Sequence, residues 1–234
     1  MTAKEGPAIG TGSLITVVDP SNPRGIVDLI NNSSITIQNS ATTSTFGGVT
    51  AFAFTGEAAA SGAKRVRVNN VLNTGINNGN WCMETWVYFS SIAAANVIHM
   101  SSDSGGNSWC LPPIYVSSNR INSVLWMNGA YSVQDTEDII LNKWYHIVAC
   151  WDSTNYLRLF INGKLKATNS SMTNYTASGS DNYCFLGGAV FVGCANSQAN
   201  NLNGGIGYFA FRNTTMSLTD IDKQFNSLRG RFGI

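Results

Sequence analysis

The segment Asn142–Lys166, NKWYHIVACWDSTNYLRLFINGKLK, contains two β-strand patterns followed by a hairpin signal. From Tyr145 to Trp151 two sets of residues alternate, and both sets are mostly apolar, which is typical of a strand between packed layers. A polar turn over Asp152–Asn155 precedes a second β-rich run, Tyr156–Ile161. Asn162-Gly163 suits the positive φ angles of a type I′ hairpin, so Lys164–Thr168 is predicted to return as the next strand. The segment therefore predicts consecutive strands of a β-sandwich.

The same segment resembles the signature of the laminin-G-like, concanavalin A-like jelly rolls, through Lys143–His146, the strand that follows and Leu159–Lys164. Other pieces agree with this family in the right order: Phe54–Gly56, Glu84–Phe89, Leu186–Gly188, Asn203–Phe211 and Leu218–Ile221. The resemblance covers roughly residues 20 to 228. It implies an all-β fold, a two-sheet antiparallel jelly-roll sandwich.

Short strand patterns recur along the chain with turn residues between them. Besides the three strands above, we predict Ser34–Gln38, Thr50–Phe54, Arg65–Val68, Cys82–Phe89, Asn96–Met100, Trp109–Val116, Asn122–Met127, Tyr183–Gly187, Ala189–Val192 and Gly205–Arg212. Pro112-Pro113 should break its strand or place it at an edge. One short C-terminal helix is also predicted. Its N-cap is Thr219, and Ile221, Phe225 and Leu228 lie on one face that packs on the sandwich.

The chain divides into an N-terminal arm, residues 1–20, and one laminin-G-like jelly-roll domain, residues 21–234. The arm contains the β-prone run Leu14–Val18, which would be an aggregation hazard if left exposed. Pairing with a sheet edge, on this domain or on a neighbouring subunit, would cover it. We therefore predict Leu14, Ile15 and Val17 as the assembly contact.

Composition excludes several classes of function. Charged residues make up 12% of the chain and the net charge is +1, so there is no nucleic-acid footprint. No apolar run is long enough for a membrane span, and the first twenty residues show no secretory signal. The five cysteines lack CxxC spacing. We expect reduced buried thiols, and a bridge between Cys184 and Cys194 is the one disulfide considered.

A catalytic or metal site has little support in the sequence. The histidines, His99 and His146, lie in strand patterns without zinc-ligand spacing, and His146 is interpreted as a packed or hydrogen-bonded sheet residue. Glycoside hydrolysis requires two carboxyl groups, and Glu84 is the only one in the comparable strand. We therefore predict no enzyme activity and no cofactor. Calcium stays open, because backbone carbonyls with Asp103 or Asp181 would suffice to build a site.

Three loops have the chemistry of a sugar site, which combines an exposed aromatic platform with amide and carboxylate groups. Their candidate ligand-binding residues are Asp103, Asn107, Trp109, Tyr131 and Asn200. The alternative interpretation is that the two aromatic side chains fill the core while the polar residues shape turns.

Two functions from different classes follow. The first is a non-catalytic structural protein on the surface of a virus particle, a bacteriophage capsid decoration or fibre component, made in the host cytoplasm, homo-oligomeric and bound to other virion proteins. The resemblance implies this role, since the family often occurs as such appendages. The alternative is a lectin-like carbohydrate-binding or receptor-binding module whose partners are cell-surface glycans. Glycosylation sequons such as Asn213-Thr214-Thr215 favour a secreted origin, but an Asn/Ser/Thr-rich chain also produces them by chance.

Overall fold

The computed structural model describes residues 14–23, 25–30, 34–59, 62–69, 80–101, 110–126, 130–152, 156–171, 183–189 and 198–234. Within these ranges the chain forms a C-terminal helix and two sheets, which are antiparallel apart from one short parallel pair of strands. The strands are β1 Leu14–Val18, β2 Ile35–Gln38, β3 Thr42–Phe46, β4 Val49–Thr55, β5 Arg65–Asn69, β6 Trp81–Phe89, β7 Ala95–Ser101, β8 Cys110–Ser117, β9 Arg120–Trp126, β10 Ala130–Gln134, β11 Trp144–Asp152, β12 Tyr156–Ile161, β13 Lys164–Asn169, β14 Tyr183–Leu186, β15 Asn200–Asn201 and β16 Asn203–Arg212. The helix is α1, Leu218–Leu228.

Two sheets make up the sandwich. The first has the strand order β13-β12-β11-β6-β16-β4-β3, and β1 also pairs with β16. The second has the order β10-β9-β8-β7-β14-β5-β2, and β15 pairs with β7. The predicted two-sheet antiparallel jelly roll is confirmed. Strands β3 and β10 escaped prediction, because TTSTF has almost no apolar alternation and AYSVQ alternates over only two large apolar side chains, Tyr131 and Val133.

The hairpin that joins β12 and β13 forms as predicted. Asn162 and Gly163 have φ values of 50° and 77°, as a type I′ turn requires. A Cβ atom at Gly163 would lie 3.0 Å from the Phe225 ring, so the turn also packs closely against the helix. The Asn162 side chain accepts a hydrogen bond from the His146 backbone N–H at 3.0 Å, which fixes the turn on β11.

Hydrophobic clusters cover both faces of the first sheet. Its inner face joins the second sheet in the main core, where Phe211 and many aliphatic side chains are buried. Its outer face carries Trp86, Trp144 and Phe160, which are buried beneath α1 and the residues that follow it. Burial of the four aromatic side chains Trp86, Trp144, Phe160 and Phe211 follows from their places in strand patterns. The first sheet therefore lies between two apolar layers.

The arm strand pairs with the domain's own sheet. Of the two partners considered for it, β16 is the observed one, and β1 runs antiparallel to residues Phe209–Arg212. Leu14 and Val17 are buried in the outer cluster with Trp86. Residues 14–18 of the predicted arm are therefore a strand of the sandwich. With β1 in place, these two side chains are covered within the domain and are not available as an assembly contact; of Ile15 the structure describes only the backbone.

Two local predictions were wrong. The helix begins after Ser217, whose hydroxyl accepts from the Asp220 N–H at 3.1 Å, so Ser217 and not Thr219 is the N-cap. Pro112-Pro113 neither breaks β8 nor places it at an edge, since β8 lies between β7 and β9. The pairing of β8 with β7 shifts register between Ile98 and Met100, and this irregularity accommodates the prolines. Residues 190–192 of the predicted strand Ala189–Val192 lie outside the described residues.

The cysteines also differ from the expectation of reduced thiols. Cys82 on β6 and Cys150 on β11 are directly opposite each other and form a disulfide, with Cα atoms 4.1 Å apart. No local sequence pattern indicates this pair, because 68 positions separate the two residues. Cys184 is a free, buried thiol, and its considered partner Cys194 lies outside the described residues.

Replacing both Cys82 and Cys150 with alanine should lower the free energy of unfolding by about 2 to 4 kcal/mol, because the cross-link restricts the unfolded chain. Urea unfolding of the double variant measures the loss. A peptide map without reductant should contain the peptide pair that joins the two residues. Free thiols at both positions in the native protein would contradict the assignment.

Candidate functional site

The predicted ligand-binding residues do not form one site among the described residues. Asp103, Asn107 and Trp109 lie outside them. Tyr131 is half-buried and packs against the main core. Asn200 is on β15 beside β7, and three strands of the second sheet, β7, β8 and β9, separate it from the strand of Tyr131. The structure therefore does not bring Tyr131 and Asn200 together.

A cleft elsewhere on the sandwich has the dimensions of a ligand site. Its volume is about 620 Å³, within the range usual for small-molecule and sugar sites. One wall is the 135–143 loop between β10 and β11. The others are the β12–β13 turn with the first residues of β13, and the C-terminal residues 232–234. The sequence pattern did not reveal this cleft, because its parts are distant along the chain.

The cleft has an apolar base made by the sandwich itself. Ile121, Ile139 and Ile161 belong to the main core and also line the cleft. Ile140 forms part of a wall and is 56% exposed. An exposed aliphatic side chain beside buried ones offers contact area to the apolar face of a bound molecule.

Tyr145 shapes the loop that forms one wall. Its hydroxyl accepts a hydrogen bond from the Ile140 N–H at 2.7 Å, so the loop is fastened to the first residues of β11. Burial raises the pKa of Tyr145, and the hydrogen bond from Ile140 offsets this rise only in part. The hydroxyl is therefore protonated at neutral pH, as a hydrogen-bonding group for the loop requires.

Charged side chains of both signs surround the opening. Glu137 forms an ion pair with Lys166, and the Asp138 carboxylate lies 3.0 Å from the Arg120 guanidinium. Lys143 and Lys164 also line the cleft, and neither forms an ion pair with any described residue. Glu137 and Asp138 are thus in ion pairs, while the ammonium groups of Lys143 and Lys164 have no carboxylate partner among the described residues.

Glu84, the carboxylate examined for hydrolase chemistry, lies in a different place. It is fully buried on the outer face of the first sheet, beneath the C-terminal segment. Its two oxygens lie 3.0 Å from His146 Nε2 and 3.2 Å from Arg212 Nη2. Burial raises the pKa of Glu84, but the hydrogen bonds and charges of His146 and Arg212 outweigh this, so the pKa is below its usual value. Glu84 is a structural ion-pair partner, and the interpretation of His146 as a hydrogen-bonded sheet residue is confirmed.

The part of the chain that the structure describes contains neither a cluster of metal-ligand side chains nor a helix that could span a membrane. No three His, Cys, Asp or Glu side chains there converge as ligands for a metal ion. Asp103 and Asp181, considered for calcium, fall outside that part. None of the described helices has the length and apolar character of a membrane span.

Solved structures of similar shape include botulinum neurotoxin binding domains. A type C structure, concerned with cell entry through two ganglioside molecules, has 18% identity and a TM-score of 0.67, over 92% of this chain and 51% of that one. The type DC binding domain with rat synaptotagmin II has 18% identity and a TM-score of 0.67, over 94% and 52%. The type D ligand-binding domain with N-acetylneuraminic acid has 18% identity and a TM-score of 0.65, over 92% and 50%.

These likenesses show a shared fold, and this chain spans about half the length of each of those structures. No curated protein sequence matches the chain. A family model matches residues 60–222, which is more than half of the chain, and its description agrees with the two sheets seen here. The chain is therefore a member of the concanavalin A-like lectin/glucanase superfamily, in its laminin-G group.

Proposed function

We propose that this protein is a non-catalytic binding module that holds a carbohydrate in the cleft between the 135–143 loop, β13 and the C-terminal residues. The observation that carries the proposal is the cleft itself, with an apolar base, an exposed aliphatic wall and hydrogen-bonding groups at its opening. The apolar part suits the C–H face of a sugar ring, and the polar part suits its hydroxyl groups. The type D domain solved with N-acetylneuraminic acid supports the same class of ligand.

The proposal of a non-catalytic role rests on the carboxylates. A glycosidase needs a protonated carboxyl group near neutral pH as its acid. Glu137, in the cleft, has the opposite property: the hydrogen bond and charge of Lys166 hold its pKa below the usual value. Asp138 is paired with Arg120, and Asp135 and Glu84 are buried. Glu137 therefore does not fit the role of the acid, and Glu84 does not line the cleft.

Changing Ile140 to serine should weaken carbohydrate binding about five- to ten-fold, because the variant removes apolar contact from the cleft wall. The measurement is a titration of the purified protein with the best ligand from a glycan array. Leu218→Ser is the matched control, since Leu218 is 61% exposed and lies on α1 outside the cleft. Failure to bind any glycan would refute the proposed function, and equal losses in both variants would exclude the cleft as the site.

Incubation of the protein with the same oligosaccharides should release no new reducing ends, since Lys166 lowers the pKa of Glu137 and so disfavours its protonated form. A colorimetric reducing-end assay over a broad pH range tests this. Hydrolysis that disappears in Glu84→Gln while folding is retained would overturn the non-catalytic proposal.

A second proposal is the structural role on a virus particle. Its support is the low share of charged residues, 12%, and the disulfide between Cys82 and Cys150, which suits an oxidising, external location. Stoichiometric copies of the chain in purified particles would establish it, and their absence would exclude it. Because β1 belongs to the sandwich, deletion of residues 2–19 is expected to destabilise the domain.

A further inference from the structure

The ion pair between Glu137 and Lys166 joins two side chains in unlike surroundings. The Lys166 side chain, on β13, is only 18% exposed, whereas the Glu137 side chain, on the facing loop, is 73% exposed. The cation is therefore held in the cleft wall, and its carboxylate partner reaches it from solvent. Such a pair contributes little to stability, because the exposed partner is well solvated when it is released.

The other acidic side chains near Lys166 are already engaged by groups of the protein. Asp138 is engaged by Arg120, and Asp135 is 4% exposed and accepts a hydrogen bond from the Glu137 N–H at 3.2 Å. Lys164 is near enough to act on the charge of Glu137, and Lys143 lies at the same opening. With Glu137 released, three ammonium groups face the cleft, while the other two acidic side chains that line it are buried, in the case of Asp135, or paired with Arg120, in the case of Asp138.

We propose that the cleft binds a sugar that carries a carboxylate group, and that this carboxylate takes the place of Glu137 on Lys166. The inference rests on the proposed carbohydrate-binding function and names its ligand class. One charge-assisted contact replaces another of the same kind, so the exchange leaves no buried charge unpaired. Lys143 and Lys164 add long-range attraction for the anion. Glu137 is thus a specificity-determining residue that competes with the ligand.

The variants Lys166→Gln and Glu137→Gln test this exchange in opposite directions. The first should weaken binding of an acidic oligosaccharide about ten-fold, and the second should strengthen it about three- to ten-fold, because the competing carboxylate is gone. Charge-matched controls are Lys223→Gln and Asp222→Asn, which are exposed on α1 and do not line the cleft. Neither control should change the affinity.

The probes are an oligosaccharide ending in N-acetylneuraminic acid, one ending in glucuronic acid, the carboxyl-reduced form of each, and the neutral oligosaccharide without the acidic residue. Calorimetry at low salt and at about 0.15 M salt should show tighter binding of the acidic forms, with a difference that shrinks as salt screens the lysines. The two acidic probes distinguish a nine-carbon acid from a uronic acid.

Equal affinity for the acidic and carboxyl-reduced forms would overturn the inference, as would unchanged or weaker acidic binding by Glu137→Gln. If neutral oligosaccharides still bind and Ile140→Ser weakens them, the proposed function stands without this ligand class. If no oligosaccharide binds, both proposals are refuted together.

Discussion

Replacing Trp86 with alanine should lower the free energy of unfolding by about 3 to 5 kcal/mol. Trp86 is fully buried on the outer face of the first sheet. Its ring stacks on Phe232 with centroids 4.1 Å apart and lies 5.9 Å from Phe225. The truncation would therefore open a cavity between the sheet and the C-terminal segment. Chemical denaturation followed by far-UV circular dichroism measures the change.

Two further variants define what the tryptophan does. Trp86→Phe keeps a ring in the stack and should lose less than about 1.5 kcal/mol, since volume is largely preserved. Leu218→Ala, at a side chain that is 61% exposed, should change stability by less than about 0.5 kcal/mol. A loss below about 1 kcal/mol for Trp86→Ala would show that the C-terminal segment does not cover this face in solution.

The variant Glu84→Gln should be destabilised by about 3 to 5 kcal/mol at neutral pH, although the side chain keeps nearly the same shape. In the native protein the carboxylate accepts from His146 and Arg212, and all three side chains are at most 3% exposed. Glutamine is neutral, so the Arg212 guanidinium would stay buried without a counter-charge. The exposed pair of Arg120 and Asp138 provides the control, because Asp138→Asn should change stability by less than about 1 kcal/mol.

The pH dependence of stability follows from the same carboxylate. The pKa of Glu84 in the folded protein is below its ordinary value, so folding is favoured by the charged form. This stabilisation is complete above the unfolded-state pKa and is lost as the pH falls through the folded-state pKa. Stability of the wild-type protein should therefore fall more steeply in the acid range than that of Glu84→Gln. Parallel curves for the two proteins would contradict this role.

Sequence patterns located the strands of the central hairpin well, because their information is local. The alternation of Tyr145–Trp151 and the Asn162-Gly163 dipeptide each act over a few residues, and the structure has both features where they were expected. The helix was found for the same reason, with its N-cap misplaced by two residues, because Ser217 and Thr219 are both good caps. Strands such as β3, exposed at a sheet edge, lack the apolar alternation that reveals a strand.

The candidate site was not predictable, because each part of it depends on a distant partner. Lys and Glu are usually found at protein surfaces, so neither Lys166 nor Glu137 stands out in the sequence. Only the approach of β13 to the 135–143 loop makes them a pair. The loops chosen for sugar binding had suitable chemistry, but composition carries no information about whether such residues converge. Asp103, Asn107 and Trp109 remain predictions, since they lie outside the described residues.

The sequence by itself determined the class of fold, the order of the central strands and the burial of residues such as Trp86 and Phe160, because side-chain period and turn chemistry are local properties of the chain. Only the tertiary structure decided that β1 pairs with β16, that Cys82 meets Cys150, and that the C-terminal segment covers Glu84. It also decided where the cleft lies. These are contacts between residues far apart in the chain, and their geometry exists only once the two sheets have packed.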